Sequence, residues 1–180
     1  ISPFIAPRHL WTQKYDATGA PLWGAAPVVV YNSAGLPIAF KPEMIADGSG
    51  GAFYAWHVSV GSFFQGRVQH LDQNGAPVWT VQGVEISLEA SRSELNPVMV
   101  PIGGGELIVF YNKRNSGQSL WGIGGQRITA SGGLSWGTNG IEYIPYDATT
   151  EEAPRAVRTA YGAACFVEQG NFNTTILGFG

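Results

Sequence analysis

A segment containing glutamine, glycine and tryptophan occurs three times along the chain and constrains its fold more than any other feature. The glutamines, the glycines and the tryptophans are each separated by 56 and then 57 residues. The repeated residues are Gln13, Gly19 and Trp23 in the first copy, Gln69, Gly75 and Trp79 in the second, and Gln126, Gly132 and Trp136 in the third. A constant period of this length is typical of repeat proteins, in which each copy forms one structural unit.

Composition and charge exclude several other classes of protein. The 180 residues are sufficient for one domain with a hydrophobic core, and we predict a single repeat domain over residues 1–180. The net charge is −3 and no basic run is present, so we expect no nucleic-acid partner. No apolar run reaches ~18 residues, so we expect no membrane span. The single cysteine, Cys165, lies in an apolar run and is predicted to be a small buried side chain.

Four short apolar segments occur in each period and predict an all-β fold, because glycine-rich turns separate them. In the middle period they lie at 96–100, 106–111 and 120–129, with a fourth, interrupted segment at 134–144. No stretch has apolar residues at helical spacing over three turns without an intervening glycine or proline. The glycine clusters at 103–105 and 122–125 lack the spacing of a phosphate-binding loop and are predicted to form turns.

The second segment of each period decides between β architectures. Residues 52–56, 107–111 and 163–167 are apolar at consecutive positions, so both faces of each strand should be buried. Four-stranded antiparallel sheets that stack face to face around an axis, as in a β-propeller, would bury both faces. A β-trefoil is the alternative, since it also has three repeats of four strands, but it predicts shorter repeats and more one-sided strands.

The repeated residues have physical roles in this arrangement. Each glycine is predicted to take a positive φ in a hairpin turn. Asp16 and Asp72 should accept hydrogen bonds from turn N–H groups, and Thr129 should replace them in the third copy. Each tryptophan is predicted to bury a large area after the turn and to lock one unit to the next.

The segments 16–23 and 72–79 resemble the tryptophan-docked repeats of pyrroloquinoline-quinone-type propellers, in which an aspartate, a glycine and a tryptophan follow a strand. The segment 47–56, with its glycine-rich turn before a tryptophan, is similar to propeller-like repeats of bacterial secreted and surface proteins. The third copy departs from the pattern, because Thr129 replaces the aspartate. The resemblance implies an extracellular or cell-surface location and a binding or scaffold role, and it supplies no catalytic residue.

In the register of that family, the chain comprises a half blade at 8–31, blades at 41–87 and 97–144, and an incomplete blade at 154–180. Three periods do not readily close a propeller, which has 4–8 blades. We therefore expect an incomplete ring that is part of a longer chain, or a ring that several subunits complete.

Longer and less regular connections are predicted at one edge of the sheets, which is where rigid scaffolds usually bind partners. The candidate binding residues in these connections are His57, Lys113, Arg114, Glu151 and Glu152. The expected partner is a protein, a glycan or further copies of the chain. A second set of polar residues follows the repeated glutamines, and it forms either a ring of basic groups or a set of solvated or hydrogen-bonded strand positions: Lys14, His70 and Arg127.

Two classes of function remain open from the sequence. The first is a non-catalytic extracellular module that binds a protein or glycan, or builds a surface assembly. The second is a fragment of a secreted propeller glycosidase or lyase whose catalytic residues lie outside these residues. No metal-ligand spacing or catalytic constellation is present in the sequence, so we predict no cofactor, no metal site and no catalytic residue within it.

Overall fold

The computed structural model describes residues 8–33, 35–37, 41–171 and 174–179, and all regular structure within these ranges is β. Side chains are described except for residues 152, 153 and 171–179. The strands are β1 Leu10–Thr12, β2 Val28–Tyr31, β3 Glu43–Ala46, β4 Ala52–Val60, β5 Phe63–Leu71, β6 Val84–Glu85, β7 Ser93–Gly103, β8 Glu106–Arg114, β9 Trp121–Ile128, β10 Ile141–Asp147, β11 Thr150–Thr159, β12 Gly162–Asn171 and β13 Thr174–Phe179. The predicted all-β class is therefore confirmed for the described residues.

The strands form antiparallel sheets in which neighbours in sequence are neighbours in space. The first sheet pairs β1 with β2, the second contains β3 to β6, the third β7 to β10 and the fourth β11 to β13. The second and third sheets thus have the predicted four strands. The fourth strand of the third sheet is shorter than predicted, because residues 134–136 make only an isolated bridge from Leu134 to Ile128.

The sheets pack face to face, and three apolar clusters fill the spaces between them. Side chains alternate along each strand, so one face of β4 contacts the first sheet through Tyr54 and Trp56. The other face of β4 contacts the third sheet through Phe53 and Ala55. Strand β8 is buried on both faces in the same way. The prediction that the second strand is covered on both sides is confirmed for these two repeats.

The second strand of the fourth sheet differs from this prediction. Ala163 and Cys165 of β12 pack toward the third sheet, in a cluster with Ile108 and Phe110. Ala164 and Phe166, on the other face of β12, are exposed. The prediction of two-sided burial is wrong for this repeat, because no further sheet covers that face within the described residues.

The predicted turn chemistry is confirmed in all three repeats. The turn glycines Gly19, Gly75 and Gly132 have φ of +88°, +80° and +86°. The Asp16 carboxylate accepts hydrogen bonds from the backbone N–H groups of Thr18 and Ala20. Asp72 accepts the equivalent pair of bonds, whereas the Thr129 hydroxyl accepts the one from the residue four positions later. A short acceptor side chain and a residue with positive φ are what this type of turn requires.

Two tryptophans lock one sheet to the next, as predicted. Each indole lies against the turn glycine of the following repeat, and a Cβ on Gly75 would lie 2.8 Å from Cγ of Trp23. Each indole N–H also donates to the carbonyl two residues before that glycine, from Trp23 to Gln73 at 2.8 Å and from Trp79 to Ala130 at 3.0 Å. The contact therefore requires glycine in the turn and an indole opposite it.

The repeated glutamine holds the tryptophan segment in place. The Gln126 amide donates from Nε2 to the carbonyl of Gly137 at 2.7 Å. Its Oε1 accepts from the backbone N–H of Trp136 and of the residue that follows the glutamine. Gln13 repeats all three bonds, and Gln69 repeats the donated bond and one accepted bond. A side chain that both donates and accepts is needed here, because the backbone after the turn makes only an isolated bridge to the preceding segment and leaves other polar groups to be satisfied.

Candidate functional site

The residues predicted to bind a partner lie in strands, so their assignment to loops is wrong. His57 is in β4, Lys113 and Arg114 are in β8, and Glu151 and Glu152 are in β11. The strands extend beyond the apolar segments, because polar residues near their ends still pair in the ladder. That these residues contribute to binding stays a prediction.

Three of these side chains contact other side chains of the protein. His57 is buried, meets the ring of Phe64 edge-on and carries a pKa that burial and the nearby charge of Arg114 lower to about 4. The Arg114 guanidinium lies 3.3 Å from the ring centroid of Trp121. The Lys113 Nζ is buried and lies 3.0 Å from Oε2 of the half-buried Glu89. His57 is therefore neutral near pH 7 and does not offer a charge to a partner.

Glu151 lies at the interface between the third and fourth sheets, and Glu152 pairs within the fourth sheet. Asn112 of β8 donates from Nδ2 to the Glu151 carbonyl at 2.7 Å. The Glu151 carboxylate is fully buried and accepts hydrogen bonds from Thr149 and Gln169. Glu152 pairs through its backbone with Glu168. The Glu151 side chain is thus enclosed by the protein.

A cleft of about 230 Å³ lies between the second and third sheets, at the edge where the turn between β4 and β5 is located. The turn brings Val60, Phe63 and Phe64 to one wall, and the segment that leads from β6 to β7 brings Leu88 and Arg92 to the other. Val60 and Leu88 are exposed apolar side chains at the rim. Apolar walls with a few fixed polar groups are the usual composition of a ligand pocket.

Ion pairs fix the charged side chains of the cleft. The Glu89 carboxylate lies 2.9 Å from Nε of Arg92 and also binds the buried Lys113. Arg92 lies over the ring of Tyr146 and makes a second pair with Glu142 at 3.3 Å. Since each charge is held by a partner, the guanidinium and the carboxylate have defined positions from which to bind a ligand.

Glu94 lies at the bottom of the cleft, and the pKa of its carboxyl group is raised. Burial raises the pKa of Glu94 to about 8, against the lowering effect of hydrogen bonds from the Gly66 N–H and from Ser87. The residue is 2% exposed, and Oε1 has no hydrogen-bond partner within the described residues. The carboxyl group is thus protonated near pH 7 and separated from the open part of the cleft.

The cleft was only partly predictable from the sequence. The connections that line it were predicted to be part of the binding edge, but Phe63, Arg92 and Glu94 were not singled out. Phe63 and Phe64 are adjacent aromatic residues directly after a Gly-Ser turn, and this is a signal that sequence reasoning could have used. Glu94 gave no such signal, because its burial depends on Gly66 in a different sheet.

The polar residues that follow the repeated glutamines do not form a ring of free basic groups. Lys14 donates from Nζ to the carbonyl of Gly50, and Nε2 of His70 lies 3.0 Å from the Asp47 carboxylate. Arg127 makes a salt bridge with Glu106. All three lie at the edge of the tight turns and are hydrogen-bonded or ion-paired, His70 and Arg127 within strands and Lys14 two residues after β1.

In the described part of the chain, no three histidine, cysteine or carboxylate side chains are grouped closely enough to hold a metal ion. Across the same residues, no helix has the length and apolar character needed to cross a membrane. Comparison of the chain with protein-family models, with curated proteins and with solved structures gave no match.

Proposed function

We propose that this chain is a non-catalytic binding and scaffold module, built as a β-propeller-like array and working outside the cell or at its surface. The observation that carries the proposal is an open cleft with aromatic and ion-paired walls, set on sheets that tryptophans hold together. The low charge content and the resemblance of the repeats to secreted and surface proteins support the extracellular setting.

Contacts among the first strands support the propeller-like arrangement. Glu43 lies in β3, Met99 in β7 and Arg155 in β11, which are the first strands of three successive sheets. Burial raises the pKa of Glu43, while the charge of Arg155 and the N–H of Met99 oppose the rise, so the three strands are close together. First strands that converge while the sheets remain stacked are expected around a propeller axis. Sheets that follow chain order favour this arrangement over a trefoil.

A glycan is the ligand that we favour for the cleft. Its volume of about 230 Å³ is below the ~300–1,000 Å³ of pockets for drug-sized ligands, and it suits one residue of a polymer. The Phe63 ring can contact the apolar face of a sugar, and Gln65, Glu89 and Arg92 can hydrogen-bond its hydroxyl groups. The alternative ligand is a protein that inserts one side chain into the cleft. The screen described next distinguishes it from a glycan.

Screening the chain against an array of glycans and against immobilised proteins tests this function. The double variant Phe63→Ala/Arg92→Gln should lose at least about tenfold in affinity for the retained glycan, because it removes both the stacking face and the guanidinium. Arg158→Gln, a change at the opposite edge, is the matched control and should bind as the unmodified chain does. Retention of no glycan, or equal binding by the double variant, would count against the proposal.

A glycosidase with catalytic residues inside the chain, which differs from the fragment considered from the sequence, has one observation in its favour, the presence of Glu94 and Glu89 near one cleft. One carboxyl with a raised pKa beside an ionised one is typical of glycosidases. However, Oε1 of Glu94 is buried, and Glu89 is neutralised by Arg92 and Lys113. Assays of hydrolysis on the glycans that the chain retains separate the two functions, and turnover that Glu94→Gln abolishes would favour the enzyme.

A further inference from the structure

The charged side chains around the cleft between the second and third sheets neutralise one another, with one carboxyl group left over. Three carboxylates form ion pairs with three cations there: Glu85 with Arg67, Glu89 with Lys113 and Arg92, and Glu142 with Arg92. Glu94 is the remaining carboxyl at the cleft, and no salt bridge among the described residues includes it. An ionised Glu94 would therefore leave the cleft with one uncompensated negative charge.

The groups around the Glu94 carboxyl do not supply the missing positive charge. The Gly66 N–H of β5 and the Ser87 hydroxyl donate hydrogen bonds to it, and both groups are neutral. The titratable groups that act on it or are acted on by it are Glu89 before β7, and Tyr111 and Lys113 of β8. Glu89 and Lys113 have effects of opposite sign on its ionisation, and burial keeps Tyr111 neutral by raising its pKa. A proton on Glu94 thus takes the place of a counter-charge.

A bound cation could replace this proton. Glu94 lies at the bottom of an open space of about 230 Å³ and is itself 2% exposed. Opposite charges attract each other more strongly across such surroundings than across water, because the local dielectric constant is lower. A cation held in the open part of the cleft would therefore favour ionised Glu94 without contact between the two groups.

The walls of the cleft suit a cation better than an anion. Phe63 is half-buried at one wall, and the face of a phenyl ring attracts an ammonium group. The Glu89 carboxylate is fixed at the cleft by Arg92 and Lys113, and its oxygens can accept further hydrogen bonds. An anionic ligand would have to compete with Glu89 for the same two cations.

We propose that the ligand of the cleft carries a free, protonated amino group, as an amino sugar within a glycan does. The ammonium group lies beside the Phe63 ring and the Glu89 carboxylate, and Glu94 beneath it releases its proton to the solvent. The inference deepens the proposed function and rests on it. An amino sugar is favoured over a lysine side chain because Gln65 and Arg92 also line the cleft and can bind the hydroxyl groups of a sugar ring.

Three oligosaccharides of equal length and linkage test the proposal, composed of glucosamine, of N-acetylglucosamine and of glucose. At pH ~7 the glucosamine oligomer should bind at least about tenfold more tightly than the other two, because only it contributes a charge pair with Glu94. The glucose oligomer shows whether the bulk of the acetyl group, and not the missing charge, weakens binding. The preference should shrink below pH ~6, where Glu94 keeps its proton.

Two glutamine variants locate the origin of the preference. Glu94→Gln retains an acceptor for the Gly66 N–H but cannot ionise, so it should bind the glucosamine and N-acetylglucosamine oligomers equally. Glu106→Gln is the matched control, since it removes one carboxylate at the opposite edge of the sheets and should keep the tenfold preference. Calorimetry in buffers of different ionisation enthalpy should show more protons released on amine binding by the unmodified chain than by Glu94→Gln.

The outcomes separate this inference from the proposed function. Equal binding of the three oligomers, or binding of other glycans alone, would overturn the inference and leave glycan binding in place. Binding of no glycan at all would contradict the proposed function and the inference with it. A preference for the amine that Glu94→Gln retains, or tighter binding of a lysine-rich peptide than of the glucosamine oligomer, would also overturn the inference. The comparison of oligomers and the proton release use the unmodified chain, so they test it even if Glu94→Gln does not fold.

Discussion

At the scale of single residues, the most unusual feature of this molecule is the burial of ionisable side chains. Glu94 is held in an environment that disfavours its charge, and His57, which pairs with Gly66 in the neighbouring sheet, is held in one that does the same. Both side chains are polar groups near strand ends that the stacking of the sheets has enclosed. Their ionisation therefore couples stability to pH.

Glu94 should make the protein less stable as the pH rises. Its pKa in the folded state, about 8, lies above that of an unfolded glutamate near ~4.5, so folding binds a proton between these values. This stabilisation is complete below pH ~4.5 and is lost as the pH rises through about 8. Between pH ~6.5 and ~8 the free energy of unfolding should fall by up to about 1.4 kcal/mol per pH unit. The slope is smaller near pH ~6.5, where unfolded His57 is partly protonated, and near pH ~8, where folded Glu94 is partly ionised.

Denaturant unfolding of Glu94→Gln over this pH range checks the slope. Glutamine keeps an acceptor for the Gly66 N–H and has no charge to bury, so the slope should disappear. Glu85→Gln, which alters the surface pair with Arg67, is the control and should leave the slope unchanged. A slope that persists in Glu94→Gln would assign the proton to another group.

At the scale of elements, each docked turn and the tryptophan of the preceding repeat form the contact that joins two sheets. Gly75 serves two purposes, because its φ is +80° and its Cα faces the Trp23 indole. Gly48 has almost the same φ, +82°, and a methyl group added there would have no neighbouring atom within 4 Å. The two glycines allow the conformational strain to be separated from the docking contact.

Gly48→Ala should lower the free energy of unfolding by about 1–2 kcal/mol, which is the strain of a non-glycine residue at positive φ. Gly75→Ala should carry the same strain and lose about 1–3 kcal/mol more, because the methyl group overlaps the Trp23 ring. Chemical denaturation of both variants measures the difference. Equal losses would mean that the indole makes no net contribution to stability.

The turns were the elements that sequence reasoning described best. Glycine at positive φ, a short acceptor side chain at the start of the turn and a tryptophan after it are local requirements, and they recur at a fixed period. Strand ends were described worst, because His57, Lys113 and Glu151 are polar and were assigned to loops. Their burial comes from residues in neighbouring sheets, which no local pattern encodes.

At the scale of the whole molecule, the distances between sheets distinguish a propeller-like fan, in which the sheets diverge outward, from a parallel stack. Sheets pack ~10 Å apart, so two sheets separated by a third lie ~20 Å apart in a parallel stack at every strand. In a propeller-like fan, the first strands are closer than this and the outer strands are farther apart. The charge of Arg155 and the N–H of Met99 both oppose the rise in the pKa of Glu43, which supports the fan.

Spin-label distances should test this arrangement. Labels at Glu43 and Arg155, on the first strands of the second and fourth sheets, should be clearly closer than labels at Gln65 and Thr174, on the third strands. The native Cys165 is replaced by alanine in both labelled proteins, so that each carries only the intended pair. Equal distances for the two pairs would contradict the propeller-like arrangement.

The sequence by itself determined the repeat, the all-β class, the turn geometry and the role of the tryptophans in the two internal contacts. These features depend on the conformational preferences of a few residues close in the chain, and the period displays them three times. Only the tertiary structure decided which polar residues are enclosed and where the cleft lies. Those properties arise where Glu94 meets Gly66, or where Asn112 meets Glu151, and they depend on sheets that are distant in sequence and adjacent in space.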